Sequence, residues 1–456
     1  MDCFLVQGGT TLTGSVPAAG SKNAALPLLA ASLLCEGEAR FLRLPDLQDI
    51  ATMRSLLAAL GVQVRQETAV GETAESEAAL EAGGGGTAVL PRRRAAAPVW
   101  SLNSAASGPT EAPYEIVRRM RASICVLGPL LARRGRARVS LPGGCVFGPR
   151  PVDLHIRGME ALGARVSLDH GVLDAEAPAD GLRGARVPLR SAFGSTVLGT
   201  ANVMMAATLA RGETVIEGAA QEPEVIGLAR WLRACGAQIE GEGTDEIHVV
   251  GVAGLRAVPV QIPPDRIETG TLLLAGAMTR GRVRVTGVRC DELKPLAVAL
   301  RASGVPVQEG DDWLEVDARG ADPMPADLIT EPYPGFPTDL QAQWTAYATT
   351  VRGTSRITDA IYPERFMHVP ELQRMGARIT REGSSAVVEG PNSLAAAPVV
   401  ASDLRASAAL VMAGLVARGT TTVRRVYHLD RGYEALERKL SALGAQVRRS
   451  MDDQKP

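Results

Sequence analysis

The sequence predicts an α/β fold built from six copies of one helix–strand unit, three to a domain. Two glycine series and their spacing carry that prediction. An apolar segment closes in a small-residue turn at Leu60-Gly61-Val62, Leu162-Gly163-Ala164, Cys235-Gly236-Ala237, Ser303-Gly304-Val305, Met375-Gly376-Ala377 and Leu443-Gly444-Ala445. A second series (Gly37, Gly135, Gly212, Gly281, Gly353, Gly419) interleaves with the first, each glycine following an apolar helical stretch and preceding a strand. Successive turn glycines are 102, 73, 68, 72 and 68 residues apart. A unit of this kind cannot bury its apolar face alone and must pack on its copies.

Each turn glycine suits the left-handed position that closes a helix, and the alternation after it, as in Gln238-Ile239 or Gln446-Val447, suits a strand. The first spacing is about 30 residues too long. The surplus falls in Gln66 to Trp100, with scattered glutamates, Gly83 to Gly86, the triplet Arg92-Arg93-Arg94 and an alanine run. Most of it lacks hydrophobic periodicity and predicts a disordered surface insertion at about 66–100. It is either a solvated loop or, through the arginine triplet, a partner-binding one. Pro263-Pro264 separates the third and fourth copies and makes a crossover. The predicted domains are 21–264, holding copies one to three, and 1–20 with 265–456, holding copies four to six.

At 456 residues the chain exceeds one ordinary core, which supports two domains. Aromatics make up only 4%, so alanine and aliphatic residues must fill the interior of a helix-rich protein. Lys+Arg 49 against Asp+Glu 50 gives a net charge of −1, which argues against nucleic acid as the main partner. The six cysteines form no CxxC pair and no zinc spacing with histidine, so free thiols and no metal or cofactor are expected. The start Met1-Asp2-Cys3-Phe4 has no basic leader, and the longest apolar run, Ala24 to Leu34, is too short to cross a bilayer. A soluble, cytoplasmic protein is expected, with a monomer favoured.

About fourteen residues before each glycine of the second series lie Lys22, Arg121, Gly199, Glu268, Asp339 and Arg405, each near a predicted helix start. Ser21, Thr338 and Ser402 are the expected N-caps. The free N–H groups of a helix start attract anions, so Lys22, Arg121 and Arg405 oppose the helix dipole. They are either solvated surface cations or the walls of an anion site. If the copies pack about pseudo-threefold axes, these ends gather on one face of each domain and make a positive cleft for small anionic substrates.

The loop Leu141-Pro142-Gly143-Gly144-Cys145-Val146-Phe147-Gly148-Pro149-Arg150-Pro151-Val152-Asp153-Leu154 breaks the helix–strand rhythm. An unperturbed thiol with a pKa of ~8.5 is protonated at neutral pH and can donate a proton. Arg150 would favour the thiolate and a bound polyanion would oppose it; sequence leaves that balance open.

These stretches match a family. With Gly20-Ser21-Lys22-Asn23-Ala24-Ala25, Met120-Arg121-Ala122-Ser123-Ile124, Asp265-Arg266-Ile267-Glu268-Thr269-Gly270, Pro334-Gly335-Phe336-Pro337-Thr338-Asp339-Leu340, Arg365-Phe366-Met367-His368, Asp403-Leu404-Arg405-Ala406-Ser407 and Tyr427-His428-Leu429-Asp430-Arg431-Gly432-Tyr433, the chain resembles the UDP-N-acetylglucosamine 1-carboxyvinyltransferase family. The likeness covers all but the insertion. It implies two inside-out α/β domains of the EPSP-synthase type and no cofactor. It also implies transfer of the enolpyruvyl group of phosphoenolpyruvate to the 3-hydroxyl of UDP-N-acetylglucosamine, with release of phosphate, by addition and elimination through a tetrahedral ketal. By the same resemblance Cys145 is the acid at the methylene carbon, Asp339 the base and Lys22 a third catalytic group. Lys22, Asn23, Arg150, Arg405 and Arg431 would hold phosphoenolpyruvate. Asn23, Arg121, Arg150, Pro151, Val152, Asp153, Leu154, Asp339 and Ile361 would hold the sugar nucleotide.

Two stretches depart from the family pattern. Ser195-Thr196-Val197-Leu198-Gly199-Thr200 replaces the usual Ser-Val-Gly-Ala-Thr type of loop and puts a contact at Gly199 in question. Tyr362-Pro363-Glu364 replaces Phe-Glu-Asn, and Pro363 removes a backbone donor beside the further candidate Arg365. The alternatives are the sister enzyme acting on shikimate 3-phosphate and a catalytically silent scaffold.

Overall fold

The computed structural model describes residues 2–67, 98–143, 152–192 and 194–451. Six four-stranded sheets repeat one pattern, in which a short edge strand runs parallel to its neighbour and the other pairings are antiparallel. Four of the edge strands come from the segment just before their copy, and those of the first and fourth copies come from distant parts of the chain. In the first half, Glu111–Ala112 and Arg186–Pro188 complete the second and third sheets, and Val260–Gln261 returns to complete the first beside Glu38–Leu42. The second half closes the same ring through the N-terminus. Asp2–Gln7 is the central strand between Thr420–Arg424 and Gln446–Met451, and Thr13–Pro17 is the parallel edge of Arg282–Thr286.

Inside each ring stand three helices, buried nearly all round except at the end of Leu127–Arg134, which carries the part-exposed Arg133 and Arg134. Lys22–Ala31, Leu127–Arg134 and Val197–Ala207 pack together in the first half. Arg266–Met278, Gln341–Ala348 and Leu404–Val416 do so in the second. A helix apolar all round has to be interior, and Leu28, Leu29, Leu272 and Leu410 are at most 1% exposed. Truncating one such leucine to alanine costs about 2–5 kcal/mol. Outer helices such as Lys294–Ala302 bury only one stripe, here Leu296, Ala297 and Leu300. One core runs through residues 25–262; the other joins residues 4–18 to residues 267–447.

The six turn glycines all lie at φ between +82° and +110°, as helix closure requires. Gly281 differs from the other second-series glycines: Arg280 takes the left-handed position (φ 54°), and a Cβ on Gly281 would meet the Leu12 carbonyl oxygen at 1.9 Å. Three expectations need correction. Asp403, not Ser402, caps the Leu404–Val416 helix, accepting from the amides of Arg405 (2.8 Å) and Ala406 (3.1 Å). Thr338 is no cap; its hydroxyl donates to Asp359 (2.7 Å) and Pro337 holds the cap position. Strands reach into both ends of the expected insertion, where Gln66 pairs with Trp100 and Glu67 with Val99; residues 68–97 lie outside the described ones. Ser21 does cap the first inner helix.

The halves are joined twice, side by side. Ser21 N–H donates to the Pro263 carbonyl (2.7 Å) and Asp265 N–H to that of Ala19 (2.9 Å). Among the described residues no helix is long and apolar enough to cross a membrane.

Candidate functional site

The first turns of the inner helices bring the candidate charges together. Asp339 lies in the 3-10 turn Thr338–Leu340 that leads into Gln341–Ala348, beside the start of Leu404–Val416. Its Oδ2 receives Arg405 Nη2 at 2.7 Å and its Oδ1 receives Arg365 Nη1 at 2.7 Å. Asn23, from the other half, donates its side-chain amide to Oδ2 at 3.4 Å. Arg405 is 2% exposed and stands over the Tyr433 ring, 5.4 Å from its centroid. Gln343 braces the group by donating to the Asp339 carbonyl (3.1 Å) and the Tyr433 hydroxyl (3.0 Å).

Burial alone would raise the Asp339 carboxyl, but Arg405 and Arg365 outweigh it and hold the group well below its ordinary value of 3.8. Burial would lower both guanidiniums; Asp339 reverses that, and both sit above their ordinary value. The cluster is therefore fully ionised.

A second knot crosses the halves. Asp49 receives Lys22 Nζ (3.3 Å) on one oxygen and Arg431 Nε (2.9 Å) on the other. Asp49 was not among the sequence candidates. An acidic residue in the first turn of Gln48–Ala59 is ordinary on dipole grounds; its burial to 3% exposure is the anomaly, and only the fold reveals it. Across both knots, Lys22, Arg365, Arg405 and Arg431 face Asp49 and Asp339, leaving an excess of positive charge.

The remaining candidates are placed as follows. Arg121 opens the 3-10 turn Arg121–Val126 beside His155. Burial, then Arg121, pushes His155 down to about 3. Asn202 holds the neutral ring, its Nδ2 3.0 Å from His155 Nδ1, and also donates to the Ile124 carbonyl. Val152 and Leu154 are buried, and Asp153 between them is exposed at the start of Asp153–Ala161. Gly199 N–H donates to Thr196 Oγ1 (3.2 Å) and so closes its own helix cap. Ile361 N–H donates to Asp359 (3.0 Å), whose other oxygen accepts from Thr338; Thr338 Oγ1 in turn accepts from Arg365 (3.1 Å). Arg365 reaches Asp339 although Pro363 precedes it. Cys145, Arg150 and Pro151 lie outside the described residues. Among the described residues no group of three or more His, Cys, Asp and Glu side chains is placed to hold a metal.

The family profile of EPSP synthase (3-phosphoshikimate 1-carboxyvinyltransferase) matches residues 6–91 and 93–440. A UDP-N-acetylglucosamine 1-carboxyvinyltransferase of Rhodospirillum centenum is 49% identical over 449 residues, 98% of this chain and 99% of the relative. One from Anaeromyxobacter sp. is 48% identical over the same shares. The enolpyruvyl transferase NikO of Streptomyces tendae superposes with a TM-score of 0.84 over 98% of this chain and 99% of that one, at 24% identity. An EPSP synthase of Acinetobacter baumannii gives 0.68 at 16% identity, over 99% and 100%. Those two likenesses carry the fold, two rings of sheets around buried helices. With the profile and the full-length relatives they place the chain in the EPSP synthase family of enolpyruvyl transferases, in the group of the UDP-N-acetylglucosamine 1-carboxyvinyltransferases.

Proposed function

We propose that the chain transfers the enolpyruvyl group of phosphoenolpyruvate to the 3-hydroxyl of UDP-N-acetylglucosamine and releases phosphate. The reading rests on full-length relatives of that name, and the observation that carries it in the fold is the joining of Lys22 and Asn23 from one half with Arg405 and Arg431 from the other. In this reading residues 21–264 and residues 1–20 with 265–456 are two lobes whose helix starts face a shared cleft. The step would belong to the first commitment to peptidoglycan precursors, in the cytoplasm, with small molecules as the only substrates.

The roles follow from charge. Phosphoenolpyruvate is roughly trianionic, and guanidinium forks suit both phosphate and carboxylate. Lys22, Arg150, Arg405 and Arg431 take those groups. An anion that draws Arg405 off Asp339 removes the largest stabiliser of that carboxylate and restores its basicity. Asp339 then accepts the proton of the sugar hydroxyl as its oxygen attacks C2 of phosphoenolpyruvate and forms the tetrahedral ketal. Cys145 gives a proton to the methylene carbon, and the tetrahedral ketal then loses phosphate from the ketal carbon and a proton from the new methyl group, which forms the enol ether of the product. Arg121, Asp153, Leu154 and a backbone contact at Ile361 are assigned to the nucleotide sugar.

Phosphate release from phosphoenolpyruvate, measured with each acceptor in turn, tests the reading. Release with UDP-N-acetylglucosamine is expected. Release only with shikimate 3-phosphate would assign the sister activity, and release with neither would leave a scaffold.

A further inference from the structure

Asp359 ends the strand Gly353–Asp359 and is 0% exposed. A buried carboxylate persists only where donors satisfy its oxygens. The two oxygens of Asp359 divide their partners. Oδ1 accepts the Thr330 hydroxyl (2.8 Å) and the amides of Ile361 (3.0 Å) and Tyr362 (2.8 Å). Those bonds join the ends of two paired strands, where Thr330 lies opposite Asp359, and shape the turn that follows. Among the described residues Oδ2 accepts from Thr338 alone, at 2.7 Å.

The direction of that last bond decides what Thr338 can do. A hydroxyl has one hydrogen and two lone pairs. The hydrogen of Thr338 goes to Asp359, so Oγ1 turns lone pairs toward Arg365, whose Nη1 donates at 3.1 Å. The other hydrogen of the same Nη1 goes to Asp339 Oδ1 at 2.7 Å. The backbone repeats the connection. Tyr362, whose amide Asp359 holds, accepts the Arg365 amide on its carbonyl (2.9 Å), and the centroid of its ring lies 5.9 Å from the guanidinium. Both ends of the Arg365 side chain are therefore located by Asp359.

We infer that Asp359 is a positioning residue for Asp339: it sets the polarity of the Thr338 hydroxyl, which in turn aims Arg365 at the base. This role rests on the enolpyruvyl-transfer reading, in which Asp339 takes the proton of the sugar hydroxyl. It is separable from turn building because each oxygen has its own partners. Asp359→Asn makes the separation. Three donors face Oδ1, so the amide oxygen takes that place and the NH₂ group faces Thr338. A donor then meets Thr338 where an acceptor stood, and the hydroxyl hydrogen loses its partner. The turn is kept and the relay is cut.

Phosphate release from phosphoenolpyruvate with UDP-N-acetylglucosamine, measured on full-length chains of checked fold, provides the test. A wild type inactive with that acceptor would overturn the transfer reading and this role with it. With an active wild type the variants judge the role alone. Asp359→Asn should lower kcat about tenfold, for one bond in the relay. Its KM for UDP-N-acetylglucosamine should stay within about threefold, because the turn at Ile361 is intact. An unchanged kcat, or a loss carried by KM, would overturn the inference. Thr338→Val cuts the relay with Asp359 in place and should cost the same factor; Thr338→Ser keeps the hydroxyl and should recover most of it. Asp359→Asn added to Thr338→Val should cost less than about twofold more, whereas losses that multiply to about a hundredfold would show independent action and overturn the inference. Where Asp359→Asn does not fold, a normal kcat in Thr338→Val overturns it, and a tenfold loss that Thr338→Ser recovers supports it.

Discussion

Glu268 and Asp339 occupy the same point of consecutive copies, about fourteen residues before the glycine that follows their helix. Both are carboxylates at the start of an inner helix, yet their surroundings push them in opposite directions. Burial outweighs the pull of Lys439 and keeps the Glu268 carboxyl above its ordinary value. Two guanidiniums outweigh burial at Asp339 and hold it below. Glu268 accepts Lys439 Nζ on both oxygens at 2.7 Å and the Ala19 amide at 2.7 Å, so it fastens the segment that links the halves. Asp339 accepts two arginines that an incoming anion can draw away. One repeat position has become a structural anchor and the other a chemical group, and the number of cations beside it marks the difference.

The largest effect expected is kinetic. Asp339→Asn should lower kcat by about 10²–10⁴-fold, the usual range for a lost general base, measured with both substrates saturating and folding checked by circular dichroism. Glu268→Gln should instead cost roughly 3 kcal/mol of stability, because Lys439 loses a buried partner. Denaturant unfolding measures it, and a loss under about 1 kcal/mol would show that the anchor is not used. Arg365→Lys keeps the charge but loses the rigid guanidinium whose Nη1 donates to both Asp339 and Thr338; a kcat reduced about tenfold is expected, from about one bond lost.

A smaller effect separates the two carboxylates by pH. Asp339 is depressed, so its contribution is present above its ordinary value of 3.8 and fades as pH falls; the stability gap between wild type and Asp339→Asn should close on acidification. Glu268 is raised, so its titration favours the fold below its ordinary value of 4.5 and that contribution is lost as pH rises. The gap between wild type and Glu268→Gln should therefore narrow toward higher pH. Parallel slopes in the two unfolding series would erase the distinction.

The contrast also shows where sequence stops being informative. Glycine spacing exposed the six copies because each helix closes on a left-handed residue, a local demand that leaves a local trace. Lys22 and Arg405 were visible because a cation in a first helical turn breaks a local rule. The pairing of strands between distant copies was not visible residue by residue, although residues 1–20 are expected beside residues 265–456. Asp2–Gln7 completes the last sheet by pairing with Gln446–Met451, and nothing within either segment marks so distant a partner. Asp49 hid for the same reason: its role depends on Arg431, which the chain delivers from the other half. The cap at Asp403 rather than Ser402 was a choice between adjacent residues that both suit the position, decided by backbone direction.

The most direct test is kcat at saturating phosphoenolpyruvate and UDP-N-acetylglucosamine for Asp339→Asn and Glu268→Gln, at a temperature where both remain folded. Turnover should collapse in the first and stay within about threefold of wild type in the second, a difference of under 1 kcal/mol in barrier. Equal collapse in both, or near-normal turnover in Asp339→Asn, would contradict the division of labour drawn between the two positions.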